Sequence, residues 1–206
     1  MQLRYEYYKK KKKHTTLKRF SLYLIKLFII TLLITLFVNS FLFRTYRTLN
    51  NSMSPVLKSG TDHFIVSKIV YGIKFPFTEK RSVVFRKIKR NDIVLLKHPH
   101  IKGERMVRRI IAIPGDFIEI RDKKIILNGK EIVETFVRHS RTNIIPGNLS
   151  KSDNMDHVRI EQDNYFVIGD NRDESYDSRW FGPVNKNLII GKVSVRHYPL
   201  KRFSRL

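Results

Sequence analysis

The chain has 206 residues with 42% hydrophobic content, enough for one compact domain with appendages and too few for several domains. Its 41 Lys and Arg against 18 Asp and Glu give a formal charge of +23, which fits a nucleic-acid binder or a protein working beside anionic lipid. With no cysteine, thiol nucleophiles, thiolate metal sites and disulfide scaffolds are excluded. A single alanine, Ala112, beside 14 Phe and 9 Tyr favours strands over helical bundles.

Residues 1–20 carry eight basic side chains against one acid, Glu6, and read as a solvated, mobile arm. Residues 21–43 follow with one charge, Lys26, near their start. About 20 apolar residues cross a bilayer as a helix, and a lysine within two turns of the basic end can reach the headgroups. The segment reads as a transmembrane anchor with its basic flank in the cytoplasm. Two other readings compete: a cleaved signal peptide with a poor site at Val38-Asn39-Ser40, and a buried core helix. The apolar stretch exceeds the roughly 7 to 15 residues usual before cleavage.

Beyond residue 60 the pattern is short and β-branched. Residues 63–71, 92–97, 106–113, 117–120, 124–127, 165–168 and 188–195 are strand candidates. Asn128-Gly129 between apolar runs is a strong hairpin signal. Residues 133–162 show no period and contain Pro146-Gly147, so they read as an insertion on the surface. The seven histidines show no metal-ligand spacing, and neither a metal nor a cofactor is expected.

Soon after the anchor comes Asn50-Asn51-Ser52-Met53-Ser54-Pro55, a serine followed by a turn-setting proline. Alone it reads as a turn. Its company changes that: Asp92-Ile93-Val94-Leu95-Leu96, then Val107-Arg108-Arg109-Ile110-Ile111-Ala112-Ile113-Pro114-Gly115-Asp116, then Gly169-Asp170-Asn171-Arg172 leading into Ser175-Tyr176-Asp177-Ser178-Arg179. In this order the segments resemble the type I signal peptidase family, and the last block is the most specific.

The resemblance implies a mainly β, antiparallel signal-peptidase-like fold with one N-terminal transmembrane helix, the peptidase domain spanning residues 44–206. It implies removal of signal peptides from secreted preproteins after a small-x-small sequence, at the bacterial cytoplasmic membrane, with the peptidase domain on the far side. By the same resemblance Ser52 matches the nucleophile, and the Ser52 amide with the Asn50 side chain would hold the oxyanion. Ser175, Asp177, Arg179 and Asp170 would support the site, and Met53 and Pro55 would lie at the substrate or membrane surface.

One position departs from the family. Its mechanism uses a neutral lysine amine to take the serine proton, and the matching residue here is Arg108, followed by Arg109. A guanidinium has a pKa above ~12 and stays charged. Deprotonating it at pH 7 costs at least ~7 kcal/mol, roughly five powers of ten in rate. Lys97, His98 and Lys102 are candidate replacement bases. The alternatives are therefore an active endopeptidase with an unusual base, or an impaired homologue that binds signal peptides or assists a paralogous signal peptidase. A membrane-tethered nucleic-acid binder is a remote third, since it requires a cytosolic domain with basic residues and aromatics interleaved on one face. Membrane lipid is an expected partner and nucleic acid is not.

Overall fold

The computed structural model describes residues 2–38, 42–74, 81–82, 85–145 and 150–206. The chain divides into two units, residues 1–42 and 43–206. The first unit is the helix α1 (Gln2–Phe37). It extends through the basic stretch expected to be a mobile arm. Its segment Lys18–Phe37, with mean hydropathy 2.3, is long and apolar enough to cross a membrane. The hydroxyls of Thr31 and Thr35 donate to the carbonyls of Leu27 and Thr31, each at 2.8 Å. Both polar groups are thus satisfied inside their own helix, as a lipid surrounding requires. The anchor expected to reach Phe43 ends earlier as a helix, because the chain is already extended at β1 (Phe43–Arg47). Residues 39–41, with part of the weak cleavage sequence, lie outside the described residues.

The second unit is mainly antiparallel β, as the resemblance implies. Its largest sheet has the order β1, β2 (His63–Ser67), β13 (Ile189–Tyr198), β5 (Ile93–Lys97), β6 (Arg105–Ala112), β11 (Asn164–Ile168) and β12 (Val184–Asn185), with β14 (Ser204–Arg205) also on β13. A second sheet has the order β10 (Met155–Arg159), β7 (Phe117–Arg121), β8 (Lys124–Leu127) and β9 (Lys130–Glu131). A short pair joins β3 (Ile73–Lys74) and β4 (Arg81–Ser82).

Side-chain alternation explains the near-continuous apolar strand β5. Ile93 and Leu95 pack with Met53, Leu57, Phe64, Val66, Val107 and Val193. Val94 and Leu96 face the other way, onto Tyr71, Met106, Ile110, Val167, Val184 and Ile189. Each such side chain contributes about 1.5–3 kcal/mol by leaving water. A third cluster, of Ile111, Ala112, Ile118, Ile120, Ile125, Leu127, Ile160, Phe166 and Ile168, joins the two sheets.

The Asn128-Gly129 signal is a turn between β8 and β9, with φ of 52° and 79°, a twist that few residues besides Asn and Gly tolerate. The stretch 133–162 requires correction. Although Pro146 and Gly147 lie outside the described residues, β10 pairs with β7 and Ile160 is buried in the core. Met155-Asp156-His157-Val158-Arg159 hides this strand because it presents a bulged, mostly polar edge.

Candidate functional site

Ser52 lies in the turn after β1, and Arg108 at the middle of β6, where alternation places it on the same face as Met106 and Ile110. The sheet brings the two together across 56 residues: Arg108 Nη1 donates to Ser52 Oγ at 2.7 Å. The Ser52 hydroxyl in turn donates to Asn50 Oδ1 at 2.7 Å. Both residues are buried, with 2% of Ser52 and 3% of Arg108 exposed.

The other donors of Arg108 are also engaged. Nη1 donates to the Val107 carbonyl at 2.6 Å, while Nη2 and Nε donate to the Tyr176 carbonyl at 2.8 and 3.3 Å. Every one of these acceptors is neutral. Burial pushes the guanidinium pKa down, against a pull upward from Asp177, with a further push down from Arg179. Among the described residues, no carboxylate lies within ion-pair distance of Arg108.

The adjacent arginines are arranged otherwise. Arg109 holds Asp170 in a two-pronged pair, Nε to Oδ1 at 2.8 Å and Nη2 to Oδ2 at 2.7 Å, and its guanidinium lies 3.8 Å from the Phe136 ring centroid. Burial raises the Asp170 carboxyl, and the Arg109 pair does not fully reverse it. Arg179 grips Asp177 through Nε and Nη2 at 2.8 and 2.9 Å, and the Gly169 amide adds a third bond at 3.0 Å. Burial raises the Asp177 carboxyl, but Arg179 and these donors outweigh it and hold it below the usual carboxylate range. Arg172 pairs with Glu134 at 2.6 Å.

Gly169 closes the back of the site. A Cβ there would overlap the Ser175 side chain and the Ser52 carbonyl oxygen, so only glycine admits this approach. The Ser52 carbonyl is fixed by the Asn171 amide at 3.0 Å. The turn after Ser52 is held from the chain's end: Arg202 donates to the Pro55 carbonyl at 2.8 Å and pairs with Asp62 at 2.8 Å, and Arg196 donates to the Val56 carbonyl.

Of the residues singled out in the sequence, Ser52, Asn50 and Arg108 converge, and Asp170, Asp177 and Arg179 form the charged frame behind them. Three differ from expectation. Asn50 turns its amide oxygen to Ser52 and accepts rather than donates, because Arg108 already occupies the serine as a donor and its proton needs an acceptor. Ser175, expected to support the site, is buried but among the described residues bonds neither Arg108 nor Ser52, and the neighbouring Tyr176 carbonyl is what holds Arg108. Met53 is 1% exposed and sits in the core with Leu57 and Phe64, so it cannot present itself to substrate or membrane; Pro55 is exposed.

Among the described residues, none of the three candidate replacement bases bonds the Ser52 hydroxyl, whose partners are Asn50 and Arg108. His98 Nδ1 accepts from the amides of His100 and Ile101 at 3.1 and 3.0 Å, and the ring stacks on Tyr176 at 5.9 Å. Lys97 and Lys102 are exposed at strand and loop positions. Sequence reasoning missed the parts played by the Tyr176 and Val107 carbonyls and by Glu134. Backbone acceptors carry no residue signature; the need of Arg172 for an acid was readable, its source was not.

Comparison with known proteins covers nearly the whole chain. Residues 21–198 match the family described as Signal peptidase, peptidase S26. Signal peptidase I V of Bacillus subtilis (strain 168) is 30% identical over 170 residues, 81% of this chain and 92% of that protein. Signal peptidase I of Bacillus caldolyticus is 35% identical over 168 residues, 80% of this chain and 84% of that protein. A crystal structure of a signal peptidase I from Enterococcus faecalis V583 aligns at 29% identity with a TM-score of 0.44, covering 53% of this chain and 98% of that one.

Proposed function

The chain belongs to the signal peptidase family, peptidase S26, serine proteases that remove signal peptides, and from that premise we propose that it engages signal peptides at the membrane with hydrolysis strongly impaired. It is a membrane-anchored protein. In our reading the basic N-terminus stays in the cytoplasm and residues 44–206 lie across the bacterial cytoplasmic membrane. A signal peptide is laid along the site as an added strand, with small side chains before Ser52.

One observation carries this reading. The Ser52 hydroxyl is held between a guanidinium that donates to it and a neutral amide that accepts from it. Attack on a carbonyl requires a group that removes the serine proton, and neither neighbour can. Such a protein would retain preproteins or pass them to a paralogous signal peptidase. A second reading, a slow but genuine endopeptidase cutting after small-x-small, has an observation in its favour: among the described residues the Ser52 amide has no acceptor and is free to hold an oxyanion.

The full chain in detergent micelles, mixed with a fluorescent peptide spanning a signal sequence and its cleavage region, reads binding and cleavage together. Saturable binding is expected, with cleavage at pH 7 no faster than in Ser52→Ala. Cleavage that Ser52→Ala abolishes would establish the second reading instead, and absence of binding would overturn both.

A further inference from the structure

Among the described residues, four buried arginines lie in or around the site: Arg108, Arg109, Arg172 and Arg179. Three have a carboxylate within 2.8 Å, from Asp170, Glu134 and Asp177. The fourth, Arg108, has the Ser52 hydroxyl and two backbone carbonyls. The carboxylates that act on it from a distance are Asp177, already engaged by Arg179, and Glu104, which is exposed. A buried charge without a counter-charge is costly, and here it is aimed at the serine where a peptide's reacting carbonyl would sit.

We infer that the Ser52–Arg108 site is a receptor for a peptide's C-terminal carboxylate, the new end left on a signal peptide once it has been cut. This rests on the proposed engagement of signal peptides and names which form is held most tightly. One carboxylate oxygen takes the place of Asn50 Oδ1 as acceptor of the Ser52 hydroxyl proton. Asn50 is exposed, so its side chain can swing aside at little cost. The other oxygen lies toward the Ser52 amide, which has no acceptor among the described residues. The negative charge then lies one hydroxyl away from Arg108, a counter-charge relayed through Ser52 Oγ, where Asp170, Glu134 and Asp177 bond its neighbours directly. Charge-assisted hydrogen bonds of this kind are about twice as strong as neutral ones. No bond is made or broken.

An uncut peptide chain presents a neutral carbonyl at the same place and gains none of this. The ligand class is therefore an apolar peptide ending in small residues with a free α-carboxylate, and the activity is retention of the product of someone else's cleavage.

The test uses the full chain in detergent micelles and two fluorescent peptides of one signal sequence, truncated at the cleavage point, one ending in a carboxylate and the other in a carboxamide. Anisotropy at pH 7 and low salt should show the acid bound about tenfold tighter or more. That preference should vanish in Arg108→Gln. Because the acid and amide are compared on the wild-type protein, the result stands even if Arg108→Gln misfolds. Equal affinities for acid and amide would overturn the carboxylate receptor while leaving signal-peptide engagement in place. No binding of either truncated peptide, with the uncut peptide also unbound, would overturn the function on which it rests.

Discussion

Two stretches of the same site differ in how their charges are closed. In residues 169–179, Asp170 and Asp177 are matched by Arg109 and Arg179, and the Gly169 amide is bonded as well. One residue before Arg109 along β6, about 3.3 Å of strand, the equally buried Arg108 guanidinium faces only neutral oxygens. The first stretch is a closed frame that positions; the second is open and retains a demand for something outside the chain. Burial alone does not mark a functional charge, since all of these residues are buried. The missing partner marks it.

Breaking the closed frame should have the largest effect. Asp177→Asn leaves Arg179 buried without its acid and is expected to cost about 3–5 kcal/mol, read as a lowered denaturant midpoint at unchanged slope. The neighbouring arginines should then respond in unlike ways. Arg109→Met strands Asp170 in the interior and is expected to cost about 3 kcal/mol. Arg108→Met removes a charge with no counter-charge and some hydrogen bonds together, and should fall within about 1 kcal/mol of wild type. Equal losses in the two variants would erase the distinction between frame and open corner.

Gly169→Ala tests how closely the two stretches touch. A methyl against the Ser52 carbonyl and Ser175 should cost about 1–3 kcal/mol and shift the Ser52 turn. The smallest effect is in pH. The Asp177 carboxyl is held below its ordinary value, so its contribution is present above the unfolded pKa of about 3.9 and is lost as pH falls through the folded value. Acid unfolding of the wild type below about pH 4 should therefore be steeper than that of Asp177→Asn, in unfolding curves taken from pH 2 to 7.

How much of this was readable beforehand follows from where the information lies. The strands β5, β6, β8 and β11 were plain because both faces are apolar or alternate cleanly. The Asn128-Gly129 turn was plain because few residues tolerate its dihedrals. β10 is not, since a bulged polar edge strand looks like loop, and the anchor reading takes in the first residue of β1 because Phe43 is apolar. Ser52, Arg108, Asp177 and Arg179 could be picked out by their order along the chain. The direction of the Asn50 amide and the burial of Met53 could not, because they depend on which partner reaches a hydroxyl first and which face of a turn meets the core.

The most direct measurement is the initial rate of signal-peptide cleavage by wild type and Arg108→Lys from pH 6 to 10, each with a Ser52→Ala partner. A lysine can lose its proton where a guanidinium cannot. Arg108→Lys should therefore cut in a Ser52-dependent manner, at least about 100-fold faster than wild type by the contribution usual for a general base, and rise with pH. Wild-type cleavage that depends on Ser52 and equals or exceeds that of Arg108→Lys would contradict the claim that Arg108 has turned this serine from a cutting group into a holding one.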